Sequence, residues 1–290
     1  MGAVRHLRRS RHHRPSVPAR IENPLVQRLF TDWLDDMDWV REFYSTTGDW
    51  WAEADARITD RDRRRVRLLR EYGAASGRIL ELGSGYGTTA LATARAGYAV
   101  TAIEISDRAD HTDISAPGPG SLTIHKADFY TVDLDGSFDS VCYWNGFGVG
   151  SDADQRRLFA RLAGEWLRPN GKALIDVFNP FVWAAWDGDE EERKPDPAAG
   201  YRHELRELTQ FDPVTCTAID TWWEPADPER RISQRLRCYT PADFELLLSG
   251  TGLTLTAIVI GDRVLPPGPH PSLRALLHEE HEYLAVCRRS

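Results

Sequence analysis

The segment Ile79-Leu-Glu-Leu-Gly-Ser-Gly-Tyr-Gly-Thr-Thr-Ala90 constrains the fold more than any other, because an apolar run hands over to a helical run through three alternate glycines. Glycines at such a turn let the backbone approach a ligand without Cβ clashes, and the helix that follows presents free amide N–H groups. From residue 78 onward short apolar runs alternate with helical stretches: RILEL, TTALATARAG, YAVTAIEI, SLTIHKAD, FDSVCYWN, DADQRRLFARLAGEWL and KALIDVF. That βαβ rhythm predicts a parallel sheet with helices on both faces. The stretch 106–120 is too rich in Asp, Pro and Gly for a full crossover helix, so a short or irregular connection is expected there.

Seventeen residues beyond Gly87 the strand YAVTAIEI delivers Glu104 near its C-terminal end. A carboxylate in that place can accept both ribose hydroxyls of a nucleoside. Glycine-rich turns also serve dinucleotide enzymes, whose usual spacing is GxGxxG, whereas here the pattern is GxGxG preceded by Glu81.

With these motifs the chain resembles the Rossmann-like S-adenosylmethionine-dependent methyltransferases, whose first motif is an acidic residue, one spacer and Gly-x-Gly-x-Gly. The resemblance implies a mostly parallel seven-stranded α/β sheet with helices on both faces and an antiparallel last strand. It implies S-adenosylmethionine as cofactor, with Glu81 orienting its methionine amino end, Gly83, Ser84, Gly85 and Gly87 making room, and Glu104 with Ile105 at the ribose. It further implies Asp128 at the adenine amino group with Phe129 beside the ring, and Trp144 and Asn145 in the cofactor-facing loop after the fourth strand. The turn LRPNGK is similar to the family's Leu-x-Pro-Gly-Gly, with Asn170 in place of the first glycine. Asparagine tolerates the left-handed conformation, so the departure is mild.

Before this core, residues 24–57 carry Leu, Phe, Trp and Val at helical spacing, interrupted at Gly48-Asp49, which predicts one or two helices and a loop. DRDRRRVRLLREY, residues 60–72, reads as an amphipathic helix capped by Thr59 or Asp60 and ended near Gly73. After the fifth strand, 187–200 reads as an acidic loop. Three runs of strand character follow, YRHELRELTQF, VTCTAIDTWWE and RRISQRLRCYT, which predict an antiparallel β insertion. Then come a helix (PADFELLLSG), a strand (LTLTAIVIG) and a closing strand (HEYLAVCRR). The expected organisation is a basic tail over 1–20, a helical aromatic lid over 21–58, the cofactor-binding core over 59–186, the insertion over 187–240, and the end of the core sheet over 241–290.

Trp50-Trp51, Trp183, Trp186 and Trp222-Trp223 fall in segments that should overhang the carboxyl edge of the sheet, where α/β ligands bind. They serve either as a satellite core or as an acceptor wall. If the acceptor must lose a proton, His203 and Tyr143 are the candidate bases. Asn179-Pro180-Phe181 resembles the Asn-Pro-Pro-aromatic motif of enzymes that methylate amino groups of nucleic acids. That motif belongs after the fourth strand, and this one follows the fifth; Asn179 is either an acceptor contact or a turn residue.

Charge narrows the partner. The formal charge is −8, and the first 20 residues hold six arginines and no acid. Without those six positive charges the remainder stands near −14, a body that would repel a phosphate backbone. No run approaches the ~18 apolar residues of a membrane helix and the basic start lacks the apolar stretch of a secretion signal, so a cytoplasmic protein is expected. Cys142, Cys216, Cys238 and Cys287 are too scattered for a metal knuckle or a disulfide framework, and His278 with His281 makes a weak metal pair. The expectation is methylation of a small-molecule acceptor, with no metal, nucleic acid or membrane partner. A peptide or RNA methyltransferase and a non-catalytic cofactor-binding protein of the same fold stay open.

Overall fold

The structure is a computed structural model that describes residues 38–111, 118–271 and 273–290, without the side chains of 38 and 52–55. The basic tail over 1–20, the first part of the expected lid and the middle of the 106–120 connection lie outside the described residues.

The central sheet runs β1 (Arg78–Leu82), β2 (Ala99–Glu104), β3 (Ser121–Lys126), β4 (Phe138–Tyr143) and β5 (Leu167–Phe178), all parallel where they pair. β12 (Glu282–Arg289) adds antiparallel to β5, and β10 (Leu253–Ile260) antiparallel to β12. The seven expected strands are joined by one more, β11 (Arg263–Leu265), which turns back on β10 at the edge. Strand order is β11-β10-β12-β5-β4-β1-β2-β3. The chain therefore winds outward from β1 to β3 and returns to β4 on the other side of β1, so the strand order reverses between β1 and β4. In open α/β sheets that crevice is where ligands bind.

The central strands are apolar throughout because helices cover both faces. On one face Leu68, Leu69, Ile79, Ala90, Tyr98 and Leu174 pack under α2 (Asp60–Tyr72) and α3 (Thr88–Arg95). On the other, Leu80, Val141, Phe147, Phe159, Trp166 and Phe244 pack under α4 (Asp152–Arg161), a π turn (Leu162–Trp166) and α6 (Pro241–Leu248). Each such side chain contributes about 1.5–3 kcal/mol by leaving water. Thr59 and Asp62 close a capping box at the start of α2, and Ser151 with Asp154 does the same for α4. Asn170 adopts the left-handed backbone, φ 64°, that the turn into β5 requires.

Two local readings are corrected. α1 (Asp38–Asp55) runs through Gly48-Asp49 without a break. A helical glycine costs about 1 kcal/mol, but here tertiary contacts hold it: a Cβ at Gly48 would stand 3.1 Å from Cγ of Arg108, and its carbonyl accepts from Tyr86 Oη at 2.5 Å. The acidic segment 187–200 holds a strand, β6 (Glu190–Arg193), paired antiparallel with β7 (Leu205–Asp212). Three consecutive glutamates hide any alternation, yet charge is what an exposed edge strand carries. β8 (Thr217–Trp223) and β9 (Ile232–Arg237) complete a four-stranded antiparallel sheet of order β6-β7-β8-β9. Phe43 of α1 meets Leu205 and Trp222 of this sheet in a small separate core, with Trp39, Trp50, Trp51 and Ile232 around it.

Candidate cofactor and acceptor site

The glycine turn leaves β1 with Gly83, Gly85 and Gly87 at φ 59°, 56° and 68°, all left-handed, where side-chain-bearing residues are strained. A Cβ at Gly85 would meet nothing within 4 Å, so the turn faces open space. At Gly83 it would stand 3.2 Å from the Tyr143 ring. Glu104, 5% exposed at the end of β2, holds the turn in place: its Oε2 accepts from the Gly85 amide at 2.7 Å, while Oε1 accepts from the Ser106 amide and hydroxyl. Ser84 donates its amide to Ile103, and its hydroxyl is buried with no partner among the described residues. Ile105 is half-buried beside Glu104.

Glu81 is the buried carboxyl of β1, 3% exposed, and no described residue donates a hydrogen bond to it. Burial pushes it up to about 8, against the pull of Arg65, with Asp62 adding to the rise. Arg65 reaches in from α2, bonds Asp176 of β5 at 3.2 Å and lies over the Trp144 ring. Asp176 rises to about 7 through burial and the charge of Glu282, whose own Oε2 is buried without a hydrogen bond among the described residues, His281 Nε2 standing 3.9 Å from it. Arg65 thus serves three buried carboxyls, and the charges of Arg61 and Arg64 also bear on Glu282. Asp62 fastens α2 to α3, accepting from Thr88 and Thr89 on one oxygen and Thr59 on the other. Burial works to raise it, and these hydrogen bonds more than offset that and lower it.

Of the remaining residues singled out in the sequence, Asp128 follows β3 and accepts from the Tyr130 amide at 2.8 Å, with Phe129 packed at an angle against Tyr130 and edge-on to Tyr143. Trp144 turns its indole into the core under Arg65, which leaves only its backbone at the sheet edge. Asn145 takes φ 51° and donates its amide to Asp176. Tyr143 is fully enclosed, and burial raises its phenol well above the ordinary value, which makes it a hydrogen-bond donor and a poor proton acceptor. His203 pairs with Glu224 at 2.8 Å; Glu224 lines a shallow cleft with Thr46, Trp50, Asp227 and Arg230. Asn179 is a turn residue: it caps α5 (Pro180–Ala185) and donates to the carbonyls of Leu276 and Glu280.

The tryptophans separate into two groups. Trp50, Trp51 and Trp222 meet where α1 lies on the insertion sheet, Trp51 edge-on to Trp222 at 5.1 Å. Trp183 and Trp186 pack with Phe178 at the end of β5, and Trp223 lies under Arg231. α1 is also tied to the core edge by residues that sequence reasoning missed. Arg108, on a 3₁₀ turn (Asp107–His111) after β2, donates to the Tyr44 carbonyl at 2.9 Å and the Thr47 hydroxyl at 2.7 Å. Its guanidinium also lies over the rings of Tyr44, Trp51 and Tyr86. Tyr86 belongs to the glycine turn, so one helix touches the turn, the loop after β2 and the insertion. Arg65 and Glu207 had a signal available, since helical spacing groups Arg65 with Leu68 and Leu69, and strand alternation puts Glu207 with Leu205 and Thr209. Arg108 had none.

A methyltransferase domain family model matches residues 51–258. Among solved structures, the CcbJ methyltransferase from Streptomyces caelestis is 20% identical with a TM-score of 0.66, covering 85% of this chain and 99% of that one. An S-adenosylmethionine-dependent methyltransferase from Clostridium acetobutylicum ATCC 824 is 12% identical with a TM-score of 0.57, over 83% and 92% of the two chains. The sugar N-methyltransferase KedS8 from Streptoalloteichus sp ATCC 53650 is 16% identical with a TM-score of 0.52, over 97% and 100%. At these identities the likeness is one of fold. No curated protein matches the sequence.

Proposed function

The chain belongs to the methyltransferase domain family and is an S-adenosylmethionine-dependent methyltransferase, and from that premise we propose that it methylates a small molecule, on oxygen or nitrogen, in a chamber covered by α1 and the insertion sheet. When bound, the cofactor supplies an electrophilic methyl group on a sulfonium. The residues at hand fit it. Glu81 is a buried carboxyl with no hydrogen-bond donor among the described residues and suits the ammonium of the methionine end. Open space beyond Gly85 suits the close approach of an adenosyl group. Glu104 keeps acceptor capacity beyond its bonds to Gly85 and Ser106 and is assigned the ribose hydroxyls. Asp128 and Phe129 are assigned the adenine, and Gly83, Ser84, Gly87, Ile105 and the backbone of Trp144 and Asn145 line the path.

Methyl transfer asks the protein to align nucleophile and methyl carbon at ~3–3.5 Å and to exclude water. The observation that carries the small-molecule reading is the covering of the carboxyl edge: α1 is fastened to the glycine turn by Tyr86, to the loop after β2 by Arg108, and to the insertion sheet by Phe43 and Trp51. A chamber roofed in this way admits a small acceptor and turns away a folded polymer, and the acidic body disfavours RNA. Among the described residues no helix is long and apolar enough to cross a membrane.

The test is incubation with methyl-labelled S-adenosylmethionine and a fractionated host extract. Label should enter the low-molecular-weight fraction. Label confined to protein or RNA would replace this reading with the macromolecular one, and cofactor binding with no transfer to any fraction would point to a non-catalytic protein.

A further inference from the structure

The insertion sheet presents a polar group that a merely structural cover does not need. β7 and β8 pair with Glu207 opposite Trp222 and Thr209 opposite Asp220, and Asp220 lies opposite Gln234 of β9. These side chains share the face that carries Leu205, Trp222 and Ile232, the face that packs against α1. Glu207 and Asp220 are diagonal neighbours there, 9% and 5% exposed. Oδ2 of Asp220 accepts from two neutral donors, Trp222 Nε1 and Gln234 Nε2, both at 2.9 Å. Oδ1 is buried and accepts from no amide, hydroxyl or cation among the described residues, and Asp220 also shares a side-chain hydrogen bond with the Glu207 carboxyl. Arg193 bonds Glu207 at 3.1 Å with its guanidinium over the Trp222 ring, and its charge also bears on Asp220. Two buried carboxyls bound to each other are costly to keep out of water, and an apolar pair would cover α1 more cheaply.

The pair is joined to the cofactor turn through a chain of side chains, Gln234, Tyr44, Arg108 and Tyr86. Gln234 accepts from the Tyr44 hydroxyl at 3.1 Å. Tyr44 lies under Arg108, and the charges of both Glu104 and Asp220 bear on its phenol, which burial first of all pushes up to about 12. Tyr143, beside the glycine turn, feels Tyr44 and Glu104 in turn.

We propose that Asp220 and Glu207 bind the methyl acceptor through an amino group and take its proton, so that the acceptor is a small primary or secondary amine. The inference rests on the small-molecule reading above and narrows it. An alkylammonium, like that of lysine, keeps its proton up to roughly pH 10 and has no lone pair to offer until it is removed. Burial, and then the charge of Asp220, push Glu207 up to about 8 against the pull of Arg193, and burial raises Asp220 as well. Two such carboxyls hold one proton between them, leaving one negative charge for the ammonium and one oxygen that can accept its proton. The proton passes from nitrogen to the carboxyl pair, the freed lone pair forms the bond to the methyl carbon, and the electrons of the breaking carbon–sulfur bond stay on sulfur. The positive charge ends on the methylated nitrogen, beside the same carboxyls.

The test uses the full chain, cofactor labelled with carbon-13 in its methyl group, and the fractionated extract. Carbon–proton correlation spectra of the wild-type product should place the label on nitrogen. Asp220→Asn and Glu207→Gln, near-isosteric changes, should bind S-adenosylhomocysteine within about twofold of wild type by calorimetry. Transfer by Asp220→Asn should fall about a hundredfold or more, the scale of a lost proton acceptor. Label on oxygen or carbon overturns the amine assignment while leaving the methyltransferase reading intact, as does full activity in both variants. Loss of cofactor binding in Asp220→Asn assigns that residue a structural role and overturns the proposal. No labelled small molecule from any fraction overturns this inference together with the reading on which it rests.

Discussion

Replacing Arg108 by alanine isolates the fastening of α1. The side chain makes two charge-assisted hydrogen bonds to that helix, at 2.9 and 2.7 Å, each worth about 1.5–3 kcal/mol when shielded from water. Its position over three rings adds about 0.5–1 kcal/mol. Arg108 is half-buried, and in the variant water can satisfy the Tyr44 carbonyl and the Thr47 hydroxyl, so the sum must be discounted to about 2–3 kcal/mol. That free energy belongs to the docking of α1, because Arg108 contributes little to the sheet. The equilibrium for local release of the helix should rise roughly 30- to 150-fold. Amide hydrogen exchange reads this directly: protection over residues 43–51 should fall by that factor, while the amides of β1, β4 and β5 keep theirs. Arg108→Lys, which keeps the charge but loses the two-pronged geometry, should fall between. Equal loss of protection in sheet and helix would refute the reasoning, since it would mean that Arg108 supports the whole fold, and so would undiminished protection in α1.

Glu104→Ala should weaken binding of S-adenosylhomocysteine by about 1–3 kcal/mol in calorimetry, and Gly85→Val should do worse, because a branched residue is strained at φ 56° and fills the open space. Unchanged affinity in both folded variants would mean that the turn has been misassigned. Glu81 is raised to about 8 in the folded chain, well above an unfolded glutamate, so it holds its proton in the folded state while the unfolded chain has released its own. Its contribution to stability is therefore complete below about pH 4 and is lost as pH rises through about 8; Asp176, raised to about 7, acts in the same sense. The melting temperature of the cofactor-free protein should fall between pH 5 and 8, less steeply in Glu81→Gln, and a rise over that window would contradict the assignment. Trp222→Ala removes a side chain that is 4% exposed and packed edge-on to Trp51, and should cost about 3–5 kcal/mol in denaturant unfolding; a loss below 1 kcal/mol would mean that the small core does not hold.

What could be read from the residues alone follows from the range of the forces involved. The glycine turn, Glu81 and Glu104 are legible because the demands on them are local: a left-handed backbone at fixed spacing, and a carboxylate at a strand end. The same holds for Asn170 and for Thr59, which caps α2 where the sequence offered Thr59 or Asp60. Gly48 misled for the complementary reason. Its helix propensity is poor, and the carbonyl contact with Tyr86 that holds it in α1 joins residues 38 positions apart. β6 was hidden because Glu190, Glu191 and Glu192 suit an edge whose partner can be known only from the pairing with β7. Asp220 reads as one polar residue in a run of strand character. Its significance lies in Glu207 and Gln234, which reach it across two strand pairings.

The packing of α1 on the insertion sheet joins segments far apart in the sequence. Tyr44 and Gln234, 190 residues apart, meet in it, as do Trp51 and Trp222. Contacts between such distant residues bear the largest loop-closure entropy and form late. During synthesis β1 to β5 can therefore assemble the cofactor turn before β8 and β9 have been made. A nascent or truncated chain ending before β8 would carry the glycine turn without its cover, exposing Phe43 and Trp51 until the insertion arrives. The interval between those two moments is when this chain is most prone to aggregate, and early cofactor binding, by stabilising the half that folds first, would shorten it.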